Sequence, residues 1–374
     1  MRARVAHIVS ARGMAGAERF LASLVVGGHE RGLEQVVLNP FANEAIDALR
    51  MHCAPVPCEG RPCDRLIDLP SSRRWLGRRL REFEPDIVHV VLFHAMALTS
   101  SLRQPRGTSR LLTNVSGDWT RLSNRRLVRT IDRMGGRRFD RVVAISQYVE
   151  RFLVSEYGYP ASKVTCIPLG WKGTPRPAVL EERPPSIICV GVLRPEKCHE
   201  VLLRAMPLVL RDIPSARLVL VGDGPLRDAL EVQVASMGLR GNVDFLGSVE
   251  EVWPHLAAAD VFAIASRVEA FCIAVVEAMA AGLPVVAPAV GALPELVQPG
   301  VTGELFGPAD HEALALHLVR ILRSPELRER MGAEARRAAE PLRLERAIGR
   351  YFTVFDELLA TTPRRAVRPG LPSA

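Results

Sequence analysis

Two carboxylates in the second half of the chain, Glu269 and Glu277, have seven residues between them and lie beside a glycine and proline turn. They belong to residues 266–297, which read SRVEAFCIAVVEAMAAGLPVVAPAVGALPELV. The apolar positions predict a helix over 271–281 that stops at Gly282. One glutamate therefore stands just before the amino end of this helix, and the other lies inside it.

The separation of the two glutamates limits what they can do together. Eight residues at the rise of a helix cover about 12 Å. This is about the span from the sugar to the ribose of a nucleotide diphosphate sugar, with the diphosphate over the positively polarised helix start. The pair need not be an acid and a base, because each carboxylate can accept hydroxyl groups at one end of such a donor. Glu277 is alternatively a surface residue, although its apolar neighbours would then leave a carboxylate in need of a partner.

Two cations stand near the end of another apolar run. Arg194 and Lys197 follow SIICVGV and are three residues apart. Cations at this position suit a diphosphate. The alternative is a surface ion pair with Glu196 or Glu200.

Short apolar runs alternate with helical patterns along the whole chain. They read ARVAHIVS, EQVVLN, PDIVHVV, RLLTNV, RVVAIS and KVTCIPL in the first half, then SIICVGV, RLVLVGDG, VDFLG, VFAIAS and LPVVAP in the second. Such runs are typical of strands buried on both faces of a parallel sheet, and the helices supply its crossovers. The sequence predicts two doubly wound α/β domains.

The loops after these strands are where ligands of open α/β sheets bind. Gly222 begins a turn that would bring the backbone close to a ligand. Leu246 to Val249 follow the next strand and can offer main-chain groups and an apolar wall to a base. A Pro-rich stretch over 171–185 predicts the interdomain linker, and a stripe of apolar residues predicts a last helix over 345–359.

Length and composition favour a globular protein of two domains: 374 residues, 48% apolar and 24% charged. The first ten residues contain too short an apolar run for a signal peptide, and no eighteen consecutive residues are apolar. A cytoplasmic location is expected, with the inner face of the membrane as a peripheral site. Aromatic residues make up 5%, and no nucleic-acid reader motif occurs, so nucleic acid is not an expected partner.

Positive charge is concentrated in the first half. Residues 1–170 hold 26 Lys and Arg against 16 Asp and Glu, whereas the rest hold 23 against 25. Two arginine-rich segments, 73–83 and 125–138, carry apolar residues on one helical face: Leu76, Leu80 and Phe83 in the first, Leu127, Ile131 and Met134 in the second. Two interpretations stay open, namely docking on an anionic membrane or acidic ligand, and the solvated outer face of helices that cover a sheet.

Three evenly spaced cysteines, Cys53, Cys58 and Cys63, follow His52. A zinc site would be one interpretation, but the four-residue gaps differ from the two-residue gaps of ordinary zinc knuckles. The favoured prediction is a loop of reduced thiols.

Taken together, several segments resemble glycosyltransferase family 4. They are the segment from Ser266 onward, GVLRPEKCHEVLLRA, LVLVGDGPLRDALE, VDFLGSVEEVWPHLAAADVFAIAS and GMAGAERFLASLV. The resemblance implies a GT-B fold, in which two Rossmann-like domains face each other across a cleft. It implies an acceptor domain over 1–172, a nucleotide-sugar domain over 173–345 and a helix over 346–360 that crosses back, followed by a disordered tail over 361–374.

The same resemblance implies roles for particular residues. Glu269 would face the sugar, Glu277 would take the ribose hydroxyls, and Arg194 and Lys197 would neutralise the diphosphate. The remaining donor-site positions would offer backbone N–H groups or let the backbone come close to the donor. They are Gly16, Gly191, Gly222, Leu246, Val249, Phe271, Cys272 and Ile273.

The sequence departs from the family pattern in several places. Ala270 and Cys272 replace glycines, Val192 replaces an arginine and Cys198 replaces another glycine. Ser116 stands about where relatives place His or Arg near the sugar. Asp118 and His94 are the candidates for that role.

The resemblance implies a retaining transferase that moves a hexose from a nucleotide diphosphate sugar, with UDP-sugar favoured, and needs neither a cofactor nor a metal. The acceptor would be a small molecule, a lipid-linked group or a glycan, and an anionic acceptor would suit the basic half. Two alternatives stay open: a non-catalytic GT-B partner subunit, and a GT-B-fold phosphorylase or epimerase.

Overall fold

The computed structural model describes residues 2–10, 16–40, 44–60, 69–103, 107–114, 126–175 and 183–361. These residues form two parallel sheets that are flanked by helices, so the predicted α/β class is confirmed. Every strand pair is parallel, which follows from the helical crossovers that separate consecutive strands.

The N-terminal sheet has seven described strands in the order β3-β2-β1-β4-β5-β6-β7. They are β1 Arg4–Val9, β2 Glu34–Asn39, β3 Cys58–Gly60, β4 Ile87–Val91, β5 Ser109–Asn114, β6 Arg141–Ala144 and β7 Val164–Cys166. The C-terminal sheet has six, in the order β10-β9-β8-β11-β12-β13. They are β8 Ser186–Val190, β9 Arg217–Val221, β10 Val243–Gly247, β11 Val261–Ala263, β12 Val285–Pro288 and β13 Gly303–Phe306.

Helices connect the strands and cover the sheets. Those of the first half are α1 Gly16–Glu30, α2 Glu44–Cys53, α3 Leu69–Phe83, α4 Phe93–Ser100, α5 Arg126–Gly136 and α6 Gln147–Ser155. Those of the second are α7 His199–Asp212, α8 Arg227–Ser236, α9 Trp253–Ala257, α10 Ile273–Ala281, α11 Leu293–Leu296, α12 His311–Arg323, α13 Pro325–Ala339 and α14 Leu344–Thr361. The last helix packs on the N-terminal sheet, where Tyr351 and Phe355 join its core. In the part of the chain described here, none of the helices is both long and apolar enough to cross a bilayer.

The cysteine segment differs from the predicted loop. Cys53 is the last residue of α2 and Cys58 the first of β3, and both are buried, so the prediction of a loop is wrong for these two. Cys63 lies outside the described residues. Across the described ranges, no cluster of His, Cys, Asp or Glu is suited to a metal.

The predicted linker is anchored at its first residue. Trp171 is buried, and its indole Nε1 donates to the carbonyl of Ala339 at 2.8 Å. The ring packs edge to face on Trp253 at 5.5 Å, and the Arg343 guanidinium lies over it at 4.4 Å. The predicted linker is therefore packed against the C-terminal core at this end, where the buried indole makes apolar contacts. Residues 176–182 and the predicted tail, residues 362–374, lie outside the described part.

The two arginine-rich helices bury different faces. In α3 the apolar residues Leu76 and Leu80 are buried against the sheet, so this helix has an ordinary solvated outer face. In α5 the exposed side chains include Ile131 at 36% and Met134 at 65% of their full areas, while Asp132 is buried. Ile131 and Met134 therefore do not cover the sheet. The side chain of Leu127 lies outside the described residues.

Candidate active site

The helix predicted after Glu269 is present as α10. It begins at Ile273, two residues later than predicted, and ends at Gly282, which adopts the left-handed conformation with φ of 85°. Cys272 precedes the helix in an extended conformation with φ of −117°. Because this position does not need a positive φ, the cysteine that replaces a family glycine fits here without backbone strain.

Lys197 and Glu269 form a buried ion pair. The Lys197 Nζ donates to Glu269 Oε1 at 2.6 Å, and the glutamate side chain is only 8% exposed. Lys197 comes from the turn after β8 and Glu269 from the loop after β11, and these two strands are neighbours in the sheet. The sheet thus places two residues that are 72 positions apart at the same carboxyl edge.

The surroundings of Lys197 keep it protonated. Burial alone would lower the pKa of this ammonium group, but the attraction of the Glu269 carboxylate and the hydrogen bond to it more than offset burial. The pKa of Lys197 is therefore raised above its ordinary value. The site holds a fixed positive charge beside a fixed carboxylate.

The backbone of Glu269 is supported from the loop after β12. Its carbonyl accepts the N–H of Ala292 at 2.9 Å. Gly291 has φ of 56°, and a Cβ there would overlap the Glu269 carbonyl oxygen. This glycine is thus required both by its conformation and by the close approach of the Glu269 backbone.

Glu277 lies one turn beyond Ile273 on α10 and faces the first helix of the other domain. Burial raises its pKa to about 7, and the charge of Arg19 on α1 acts in the opposite direction. Gly16, at the start of α1, lies so close to Ile273 that a Cβ would stand 2.9 Å from the isoleucine Cδ1. The predicted donor residues Gly16, Ile273 and Glu277 are therefore brought together, and Phe271 packs between the cores of the two domains.

The two other predicted glycines meet each other. Gly222 has φ of 132°, and a Cβ on it would overlap the Gly191 carbonyl. Its conformation therefore lets one turn pack against the next, and its close approach to a ligand stays a prediction. Leu246, which was predicted to follow the strand, lies within β10 and is 42% exposed, whereas Val249 in the turn after it packs against the core.

Arg194 is exposed, and it has no acidic partner among the described residues. The ion pair with Glu196 or Glu200 that was its alternative is therefore not formed there. Cys198 has a left-handed backbone with φ of 49°, which explains why a glycine suits this position in relatives and implies local strain here. The strained residue directly follows Lys197.

The N-terminal side of the cleft is described only in part. His94 is exposed on α4, where its ring contacts Phe93 at 5.6 Å. Leu92, just before this helix, has φ of 76°, an uncommon conformation for a residue with a branched side chain. Ser116 and Asp118 lie outside the described residues.

Sequence reasoning missed three residues at this cleft. Arg19 acts on Glu277 across the domains, and Ser146 and Glu295 join the domains by hydrogen bonds. Arg19 lies within the family-like segment GMAGAERF, but nothing in that segment indicates its partner. Ser146 and Glu295 carry no local signal, because their partners are more than a hundred residues away.

Two Rossmann-like domains that face each other across a cleft, with a buried Lys and Glu pair at the start of a helix, define the class of GT-B glycosyltransferases. Residues 14–171 match the model of Glycosyltransferase Family 4, and residues 172–338 match that of Glycosyl transferases group 1. The chain belongs to glycosyltransferase family 4, and the expectation of a transferase enzyme is confirmed.

Relatives and solved structures agree with this assignment. The GDP-mannose-dependent alpha-(1-6)-phosphatidylinositol monomannoside mannosyltransferase of Mycobacterium tuberculosis H37Rv is 31% identical over 296 residues, 74% of this chain and 76% of that protein. The enzyme of the same name from Mycolicibacterium smegmatis is 29% identical over 295 residues, 74% and 77% of the two chains. Sucrose-phosphate synthase from Thermosynechococcus elongatus shares the fold, with a TM-score of 0.80, 22% identity and coverage of 96% and 100%.

Proposed function

We propose that the protein transfers a hexose from a nucleoside diphosphate sugar to an acceptor hydroxyl, with retention of the anomeric configuration and without a metal. The observation that carries the proposal is the buried pair of Lys197 and Glu269 at the start of α10. In the absence of a donor each residue neutralises the other, so neither charge is buried alone. A bound donor would give Lys197 a phosphate and Glu269 a sugar.

The chemistry follows from where charge develops. The bond between the sugar and the phosphate oxygen breaks, and its electron pair stays on the leaving diphosphate. Lys197, Arg194 and the amino end of α10 would stabilise that negative charge. Glu269 would hold the positive charge that develops on the sugar. The acceptor hydroxyl adds from the same face and passes its proton to the leaving phosphate.

The donor is the finer part of the proposal. The relatives from Mycobacterium and Mycolicibacterium are named as GDP-mannose-dependent, and their similarity covers three quarters of this chain. We therefore propose GDP-mannose as the donor to test first. The UDP-sugar favoured by the sequence interpretation is the next donor to test.

Thermal unfolding with GDP, UDP, ADP, CMP and dTDP tests the donor site. A ligand at a hundredfold excess over its Kd stabilises the folded state by about 2.7 kcal/mol, so one nucleotide is expected to raise the Tm. Glu277→Ala should abolish the shift, whereas Glu231→Ala, an exposed glutamate on α8, should keep it. No shift with any of the five would contradict the proposal.

The acceptor is proposed to lie at an anionic membrane surface. The supporting observation is the outer face of α5, where Ile131 and Met134 are exposed beside the exposed Arg133 and Arg137. Apolar side chains among arginines suit the boundary between headgroups and acyl chains of anionic lipids. The relatives named above act on a phosphatidylinositol mannoside, a lipid acceptor of the same kind.

Co-sedimentation with vesicles tests this surface. Binding to vesicles that contain phosphatidylinositol, but not to pure phosphatidylcholine, is expected, and Met134→Glu should weaken it about tenfold. Val232→Glu alters a side chain on α8 that is 69% exposed and serves as the matched control. Equal binding by the two variants, or binding insensitive to salt, would rule out α5 as the contact.

A further inference from the structure

Glu295 on α11 binds the N-terminal domain with both of its carboxylate oxygens. Oε2 accepts the backbone N–H of Gln147 at 3.0 Å, and Oε1 accepts from Arg151 Nη2 at 2.8 Å. Gln147 is the first residue of α6, where the helix dipole favours an anion. A carboxylate from one domain thus satisfies the amino end of a helix in the other.

Ser146 makes a second polar contact between the two domains. Its hydroxyl donates to the carbonyl of Ala270 at 2.7 Å and accepts the N–H of Val149 at 3.1 Å. It is therefore the N-cap of α6 and a bridge to the residue directly after Glu269. The start of α6 is bound both to α11 and to the loop that carries the proposed sugar-binding glutamate.

Within the C-terminal domain, the two contact points are part of one small unit. The N–H of Glu295 donates to the Ala292 carbonyl at 3.0 Å, and the N–H of Ala292 donates to the Glu269 carbonyl at 2.9 Å. A displacement of α11 would therefore be transmitted to the Glu269 backbone through a single residue.

We propose that Ser146 and Glu295 are positioning residues that latch the domains together and fix the Glu269 loop in the closed cleft. The inference rests on the proposed function for its catalytic meaning, although the latch itself is a matter of domain contact. The contacts are polar and partly solvated, since the Arg151 side chain is 62% exposed. Such contacts are weak enough to open when a donor enters or a product leaves.

Hydrogen exchange of the ligand-free protein tests the latch directly. In Glu295→Ala, amides of the first turn of α6 and of the loop over 268–273 are expected to exchange about fivefold faster than in the wild type. Glu295→Gln keeps an acceptor for the Gln147 N–H but loses the charge. Its exchange rates should lie between those of the wild type and those of Glu295→Ala. Arg323→Ala is the control, because it removes a pair with Asp212 that is comparably exposed, is 2.6 Å long and lies within one domain. This control should leave the exchange rates of the first turn of α6 and of the loop over 268–273 unchanged.

The ratio of donor hydrolysis to transfer gives a second readout. If the latch fixes the closed cleft, Ser146→Ala and Glu295→Ala should raise this ratio about threefold, because water enters an incompletely closed site. A merely structural role would lower both rates equally. Exchange in Glu295→Ala equal to that in Arg323→Ala would overturn the proposal, and if the alanine variant fails to fold, Glu295→Gln decides in the same way. The exchange measurement needs no nucleotide, so its failure is distinct from failure of the thermal-shift test of the donor site.

Discussion

Two polar pairs, one in each domain, are of opposite kinds. In the N-terminal sheet, His7 Nδ1 lies 3.0 Å from His89 Nδ1, and both rings are at most 1% exposed. In the C-terminal domain, Lys197 and Glu269 carry opposite charges at the edge of the cleft. The first pair lies inside a sheet and the second at the carboxyl ends of strands.

The histidine pair belongs to a chain of hydrogen bonds that has a consistent direction when both rings are neutral. Tyr351 OH donates to Thr113, and Thr113 donates to His89 Nε2 at 2.7 Å. His89 Nδ1 then donates to His7, and His7 Nε2 donates to Gln35 Oε1 at 3.0 Å. Every donor then has one acceptor, and a proton added at His7 Nδ1 would leave two N–H groups facing each other.

The first pair stabilises the fold, whereas the second is proposed to bind the ligand. The neutral network ties the final helix to the N-terminal sheet through Tyr351, and its members have no access to the cleft edge described above. Under the proposed mechanism, Lys197 and Glu269 give up their contact with each other and contact the donor instead. Loss of the ion pair should therefore affect turnover, whereas protonation of the network should affect folding.

Lys197→Ala is expected to have the largest effect. Loss of one group that stabilises charge in a transition state typically costs 10² to 10³ in rate, so we expect kcat/KM to fall about 1000-fold. The variant also leaves Glu269 buried without a partner, which should lower the free energy of unfolding by about 3 kcal/mol. Transfer kinetics and chemical unfolding measure the two effects.

Arg320→Ala is the matched control for Lys197→Ala. It leaves Glu304, whose side chain is also 8% exposed, without its partner at 3.0 Å, but at a place away from the cleft. It should lower stability and leave kcat/KM within about twofold of the wild type. Similar losses of kcat/KM in both variants would mean that Lys197 acts through stability alone.

Much of the C-terminal domain could be predicted from local sequence. Lys197 and Glu269 each follow an apolar run, and the rule that parallel strands end at one edge brings them together. The missed strands β3 and β13 are short: Cys58–Gly60 has no apolar run, and Gly303–Phe306 has only its last two residues apolar. Their partners in the sheet, rather than their own residues, make them strands.

Contacts between distant segments could not be predicted. The sequence left two orientations of α5 open. Among the described side chains of this helix, Asp132 and two glycines are buried, whereas Ile131 and Met134 are exposed. Gly136 is needed there because a Cβ would overlap the Tyr159 hydroxyl. The periodicity of apolar residues shows which residues share a face of a helix. It does not show which face packs against the rest of the protein.

Acidification tests the neutral network. Burial lowers the pKa of His7 to about 4, and burial together with His7 lowers that of His89 well below 6.5. The unfolded chain therefore binds more protons, and stability must fall as the pH falls from 6.5 towards 4. At pH 5 each histidine should cost about 2 kcal/mol relative to pH 7.

The free energy of unfolding, measured from pH 7 to 5, gives the size of this loss. His7→Gln/His89→Gln should flatten the profile, even if the variant is less stable at pH 7. His199→Gln removes another buried histidine, whose pKa is lowered to about 4 by burial and Lys197, and should flatten it by a smaller amount. Wild-type steepness in the double variant would assign the loss of stability to groups other than His7 and His89.

Glu277 gives the smallest effect and one of opposite sign. Burial raises its pKa to about 7, above the unfolded value, so the ligand-free protein gains stability from this group as the pH falls through 7 towards 4.5.

A protonated carboxyl loses the charge that ribose hydroxyls would bind, so the Kd of an intact nucleotide sugar should rise up to about tenfold between pH 8 and 6. Calorimetric titration with the sugar nucleotide measures this, because its diphosphate keeps its charge over that range. Glu277→Gln should give a flat profile, and a pH dependence that persists in this variant would assign the titration to another group. His7 and Glu277 change stability in opposite directions. The same acidification should therefore weaken the N-terminal sheet and remove the unfavourable burial of the charged Glu277 carboxylate on α10.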